Sequence, residues 1–209
     1  MKISVFGANG KVGRLIVDLA LEQGYQVVAF VHSQSTGVKN ANLKEIQGDI
    51  YDFAAVRAAL KDVDLVISSL GSWHTPKKDI LSEAMKNIIP AMEKQKIKKI
   101  ISLTGADARL DGDELSPLHK LSHIGIKLSN GKILKDSEVH MELLQRSSLD
   151  WTVVRAPIMN NLGNANKFDL TNTRPLPWQT INRQSVAQAI INLVEENKYN
   201  KSAPFIIRS

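Results

Sequence analysis

A rhythm constrains this chain more than any other feature. Short, continuously apolar runs recur at KISVF (2–6), QVVAFV (26–31), DLVISSLG (64–71), KKIISLTGA (98–106) and WTVVRAP (151–157). LKEIQGD (43–49) reads as a further strand ending in a turn. Helical spacing fills the gaps. Leu15, Ile16, Leu19 and Ala20 recur at helical intervals over 12–24, and Gly24 is a natural stop. The segments 53–60, 79–95, 132–147 and 183–196 read the same way, and 203–209 adds a final edge strand. Runs that stay apolar instead of alternating belong to strands covered on both faces. Strands alternating with helices imply right-handed crossovers and a parallel sheet. The predicted fold is α/β, a Rossmann-like doubly wound parallel sheet with helices on both faces. Pro90 removes a backbone donor inside the 79–95 helix, so a kink or an early end is expected there.

A chain of 209 residues suits one domain with a core that stands without staples. Two segments break the rhythm. ADARLDGDELSPLHKLSHIGIKLSNG (106–131) reads as a long loop with room for one helical turn, and 158–182 as a second loop. Loops this long in a compact domain are commonly functional, so both are expected to build the substrate site. Cysteine is absent, which excludes disulfides, thiolate catalysis and cysteine-ligated metals, and fits the reducing cytoplasm. No apolar run approaches the ~18–20 residues that span a bilayer, so no membrane is expected. The N-terminal apolar stretch is too short and glycine-interrupted for a secretory signal. The net charge is a mild +6, and Lys94, Lys96, Lys98 and Lys99 read as a solvated helix end. With aromatics at only 5% and no recognisable module, no nucleic acid is expected; anionic small molecules explain the charge at lower cost.

The first strand runs directly into GANGKVGR (7–14). Glycines between a strand and a helix let backbone approach a phosphate, and the following helix offers free N–H groups and the positive end of its dipole. Gly7 makes the tight turn, Gly10 leaves room for a diphosphate, and Gly13 lets helix pack on strand. With Asn9, Lys11 and Val12 they form the candidate cradle of a dinucleotide.

The spacing GxxGxxG, followed in order by GDIYD (48–52), DLVISSLG (64–71), NIIPAMEKQKIKKIISLTGA (87–106) and SSLDWTVVRAP (147–157), resembles the short-chain dehydrogenase/reductase superfamily. Within it the chain is similar to the atypical NAD(P)-binding, NmrA-like branch, and most to its biliverdin IXβ reductase/flavin reductase-type members. The resemblance covers residues 1 to about 160. It implies that Asp49 and Ile50 flank the adenine, that Leu70 and Gly71 line the cofactor, and that the turn at Arg155, Pro157 and Ile158 flanks the nicotinamide. Pro157 reads equally as a strand stop.

An acid at the end of the second strand would bind the ribose hydroxyls of NAD and repel a 2′-phosphate. No Asp or Glu occurs between Gly24 and Lys44; His32, Ser33, Ser35 and Lys39 stand there, with Lys11 and Arg14 nearby. NADP(H) is therefore favoured over NAD(H). Relatives usually carry arginine at the position of His32, so His32 is either a phosphate partner or a surface residue.

Typical family members use a Ser/Tyr/Lys set with YxxxK. Tyr25, Tyr51 and Tyr199 are the only tyrosines and none begins YxxxK; alignment puts Ile133 and Ser137 in its place. Acid catalysis by tyrosine is excluded. Hydride transfer needs mainly orientation and a dry site, so a reductase of a small conjugated acceptor, a flavin or quinone, survives the loss. A non-catalytic dinucleotide sensor of NmrA-like type is the alternative. An epimerase or dehydratase is disfavoured, since both depend on the missing tyrosine. Ser102 and Thr104 end the fifth strand and either act as catalytic contacts or satisfy backbone. Trp73 and His74 either cover a planar substrate or pack in a loop. His119 and His123 have helical metal spacing, but HKLSH lacks the glutamate of HExxH, so no metal is expected and a lid over the substrate is preferred. His140 falls beside Glu142 and calls for no function. Monomer and homodimer both fit.

Overall fold

The computed structural model describes residues 1–73 and 75–209. Its centre is a sheet of eight strands in the order β3-β2-β1-β4-β5-β6-β10-β8. They are β1 (Lys2–Phe6), β2 (Gln26–Val31), β3 (Leu43–Gln47), β4 (Leu65–Ser68), β5 (Lys99–Gly105), β6 (Asp150–Ala156), β8 (Asp169–Thr171) and β10 (Phe205–Ile207). All pairs are parallel except β8 with β10. A separate parallel pair joins β7 (Ile158–Asn160) and β9 (Thr180–Asn182). Strand order reverses between β1 and β4, which opens a crevice at their carboxyl ends.

Side-chain alternation sends each strand to two cores. Ile3, Val5, Ile67, Ile101 and Val154 pack beneath α1 (Gly13–Glu22) and α5 (Arg183–Asn192). Phe6, Val28, Val66, Ile100 and Val153 pack beneath α2 (Phe53–Ala59), α3 (Ile80–Lys94) and α4 (Pro117–Arg146). Ser102 and Thr104 share the parity of Ile100 and so face α3 and α4.

The predicted edge strand at 203–209 is corrected: β10 lies between β6 and β8, which leaves β8 at the margin. Pro90 does not end its helix, because α3 runs through it to Lys94. Ile88, Ala91 and Met92 on either side are fully buried, and burying the two large side chains offsets one lost hydrogen bond at about 1.5–3 kcal/mol each. The helix read over 183–196 stops at Asn192. Lys99 is half-buried; its ammonium donates to the carbonyls of Val194 and Glu196, and burial lowers its pKa.

The largest correction concerns 106–131. Only 106–116 is loop; α4 starts at Pro117, capped by Ser116, and continues to Arg146. It bends at Asn130 (φ −138°, ψ 36°), where Ser129 Oγ turns back to the Gly125 carbonyl and Gly131 follows.

Candidate functional site

The glycine turn follows β1 and lies against Ser69, just beyond β4. Gly7 has φ +78°, and a Cβ there would lie 2.9 Å from the Ser69 carbonyl carbon. A Cβ on Gly13 would lie 2.0 Å from the Gly7 carbonyl oxygen. The Gly10 amide donates to that oxygen at 2.9 Å, and the Arg14 amide donates to the Gly10 carbonyl at 3.0 Å. The loop thus closes on itself beside Ser69. Among the described residues, the amides of Lys11, Val12 and Gly13 meet no acceptor, and the first turn of α1 holds no acid. Free amides at a helix N-terminus fit a diphosphate. Asn9, Gly10 and Lys11 are exposed, whereas the Val12 side chain is buried in the core.

Beyond the turn, Arg14 donates to the Thr36 carbonyl and Asn9 Nδ2 to the Gln34 carbonyl at 3.3 Å. These bonds pin the 32–37 loop across the start of α1. The side chain of His32 is 76% exposed and its Nε2 lies 3.9 Å from Asp49 Oδ2. An acid does reach this corner, from beyond β3 and not from β2. Ile50 is buried, and its carbonyl accepts from Asn87 Nδ2 at 2.7 Å.

Beyond β4, Leu70 is half-buried and Gly71 exposed. Ser72 Oγ donates to Asp136 Oδ2 at 2.9 Å, and the same carboxylate accepts from the Leu81 and Ser82 amides at 3.0 and 2.9 Å. Asp136 on α4 therefore caps α3 from outside, since Asp79 at the cap position makes no capping bond. Trp73 is 61% exposed. His74 lies outside the described residues.

Ser102 and His140 form a buried pair, with Ser102 Oγ 2.8 Å from His140 Nε2. His140 is completely buried. Burial pushes its imidazole down to about 4, against the pull of the Asp136 carboxylate and of the Ser137 backbone. With its hydroxyl held by His140, Ser102 faces the interior. Thr104 Oγ1 is buried and has no partner among the described residues. Ile133 and Ser137, where the family's pair would stand, are both buried on α4.

At the end of β6, Arg155 belongs to the strand. Its guanidinium donates to Asp113 and to the Ala203 carbonyl and lies 3.8 Å from the centre of the Phe205 ring. That leaves Pro157 and the exposed Ile158 on the crevice. Arg174 joins the same carboxylate at 2.9 Å and also donates to the Ala106 carbonyl. His119 Nδ1 meets Ser116 Oγ at 2.8 Å and its Nε2 lies 3.1 Å from the Pro175 carbonyl oxygen. The 106–116 and 158–182 segments are thereby clasped together. Between them is a cavity of about 20 Å³ lined by Asp107, His119, His123, Pro157 and Arg174. Burial raises the pKa of Asp107 against the pull of Arg174. Sequence reasoning missed Asp107, Asp113, Asp136, His140 and Arg174. The first four carry no local motif, and Arg174 sits in the least patterned stretch.

A family model described as NAD(P)H-binding matches residues 7–197. The photosystem II assembly factor Ycf39 of Synechocystis sp. is 27% identical over 203 residues, spanning 93% of this chain and 59% of that protein. The chain spans about half the length of the Ycf39 proteins it matches. Among solved structures, ChuY, an anaerobillin reductase from Escherichia coli O157:H7, superposes with a TM-score of 0.82 at 24% identity, covering 100% of this chain and 97% of that one. A short-chain dehydrogenase/reductase from Veillonella parvula in complex with NADP gives 0.78 at 15% identity, covering 99% and 94%. At these identities the structural likeness is one of fold. No helix among the described residues is long and apolar enough to cross a membrane.

Proposed function

The chain belongs to the NAD(P)H-binding family, and from that premise we propose that it is an NADPH-dependent reductase of a small conjugated acceptor. The observation that carries this is the closed glycine turn, with three unengaged amides at the switch point of the sheet. In this reading Lys11, Val12 and Gly13 hold the diphosphate through backbone N–H groups. His32, at the end of β2, holds the 2′-phosphate. Asp49 and Ile50 flank the adenine, while Leu70, Gly71, Pro157 and Ile158 line the nicotinamide half. Reduced nicotinamide, when bound, supplies a hydride to the acceptor. Water supplies the proton, since no tyrosine reaches the site: Tyr51 donates to Asp79, Tyr25 to Glu195 and Tyr199 to the Leu170 carbonyl. The free hydroxyl of Thr104 orients the ligand, and the Ser102–His140 pair fixes the end of β5 beneath it. The clasped segments 106–116 and 158–182 shield the far side from water.

A dinucleotide-binding protein without turnover is the second reading, favoured by the likeness to an assembly factor. One experiment separates the two. NADPH is mixed with the protein and FMN, riboflavin, a quinone or biliverdin, and loss of reduced-nicotinamide absorbance is followed, beside tryptophan-quenching titrations of NADPH and NADH. Turnover with at least one acceptor is expected, together with tighter binding of NADPH. Binding with no turnover on any acceptor would shift the assignment to the sensor. His32→Asp is expected to move preference toward NADH; an unchanged ratio would remove His32 from the 2′-phosphate.

A further inference from the structure

Reduction of an acceptor needs a proton as well as a hydride, and each tyrosine is engaged elsewhere. The cavity between the 106–116 and 158–182 segments offers another source. Asp107 is the second residue beyond β5 and Pro157 the first beyond β6, and both line it. The Ala106 amide donates to the Ala156 carbonyl at 2.8 Å, so the sheet runs right up to the cavity. β5 pairs with β4, whose other neighbour is β1. The cavity therefore stands at the carboxyl ends of the strands, about 5–10 Å across the sheet from β4 at the switch point.

Asp107 is half-buried, and among the described residues it forms no ion pair. Arg174 lines the same cavity, but its guanidinium is taken by Asp113 and the Ala106 carbonyl. His119 is likewise engaged: its Nε2–H donates to the Pro175 carbonyl, which leaves Nδ1 to accept from the Ser116 hydroxyl. His123, one helical turn on, is the group left over. Its Nδ1 is buried with no hydrogen-bond partner among the described residues. The same histidine lines a wide surface groove of about 630 Å³ among the exposed Arg109, Glu114 and Lys120. The imidazole thus stands between the narrow cavity and bulk water. A cavity of about 20 Å³ has room for one water, and Asp107 and His123 supply polar partners for it. Burial makes the Asp107 carboxyl keep its proton to higher pH than an exposed aspartate does, while Arg174, His123 and His119 pull the other way.

We propose that Asp107 is the general acid that protonates the acceptor, and that His123 returns its proton from solvent across the cavity. The assignment rests on the reductase reading, in which Pro157 flanks the nicotinamide. The acceptor gains a hydride from NADPH, which leaves as NADP⁺, and the Asp107 O–H bond breaks as its proton passes to a basic atom of the acceptor. His123 reprotonates the carboxylate through a water in the cavity and takes its next proton from solvent. Acceptor, NADPH and one proton thus become reduced acceptor and NADP⁺, with water still the ultimate source of the proton.

The test follows NADPH oxidation by the native protein and its variants on whichever of FMN, riboflavin, a quinone and biliverdin is turned over. In Asp107→Asn, kcat should fall at least about a hundredfold, while KM, NADPH affinity by tryptophan quenching and circular dichroism stay unchanged. Native kcat should fall as pH rises through the titration of the carboxyl, and the variant should lack that fall. Asp107→Ala should regain rate on addition of formate, which brings a carboxyl back into the vacated space. His123→Gln should slow turnover less, with imidazole buffer restoring it. Unchanged kcat in Asp107→Asn, or the same pH profile in both proteins, overturns the inference and leaves the reductase reading standing. A loss in which NADPH affinity falls and formate restores nothing also overturns it and makes Asp107 a structural residue. No turnover by the native protein on any acceptor sinks the reductase reading, and this role with it.

Discussion

Gly13 and Gly10 separate two demands that the glycine motif makes together. A methyl group on Gly13 would collide with the Gly7 carbonyl, which cannot yield without opening the turn, whereas on Gly10 it meets one atom at 3.1 Å. Gly13→Ala is therefore expected to cost about 1–3 kcal/mol of stability, in the range of other overpacked sites. Gly10→Val should keep the fold and lose NADPH binding; unchanged affinity there would remove the turn from the phosphate site. His140 makes a separate prediction about pH. Its folded imidazole titrates at about 4 and its unfolded one at 6.5, so between those values the unfolded chain binds a proton that the folded chain refuses. Stability should fall as pH falls through that window, by ~3 kcal/mol in all. Urea unfolding at several pH values measures this slope, and His140→Gln should flatten it; an equal slope in the variant would show that other groups carry the effect. The glycines were legible because their spacing is itself the structure. His140 was not, because a histidine two residues from a glutamate reads as surface until β5 is seen to run beneath it.

Among the elements, α4 shows how a helix escapes a periodicity reading. Ser116 and Pro117 are proper start signals, yet Leu118, Leu121, Ile124 and Leu128 in the turns that follow face solvent, and a bend at Asn130 breaks the register. An apolar stripe without a buried partner looks like loop. Its neighbour, the clasp of Asp113 with Arg155 and Arg174, ties the 106–116 loop to β6 and to the 158–182 segment. Both guanidinium groups are nearly buried, so removing their shared carboxylate strands two cations. Asp113→Asn is expected to cost about 3–5 kcal/mol by urea unfolding. Arg174→Met added to it should recover part of that loss; no recovery would mean that the cost lies in the loop backbone and not in stranded charge.

At the level of the whole molecule, the sheet order places the crevice, and a ligand bound there should stabilise everything that builds it. NADPH at about a hundred times its Kd should add about 2.7 kcal/mol, which for a chain of this size raises Tm by roughly 5–11 °C. NADH at the same concentration should raise it less. No rise with NADPH by thermal-shift measurement would overturn the cofactor assignment. The sequence by itself determined the alternation of strands and helices, the burial of the sheet on both faces and the glycine turn, because each is written in residues that are near neighbours along the chain. Only the tertiary structure decided that β10 lies inside the sheet, that Asp136 caps a helix other than its own, and that Ser102 meets His140 across 38 residues. Those contacts join distant segments, and a partner that is absent from the local pattern is chosen by packing alone.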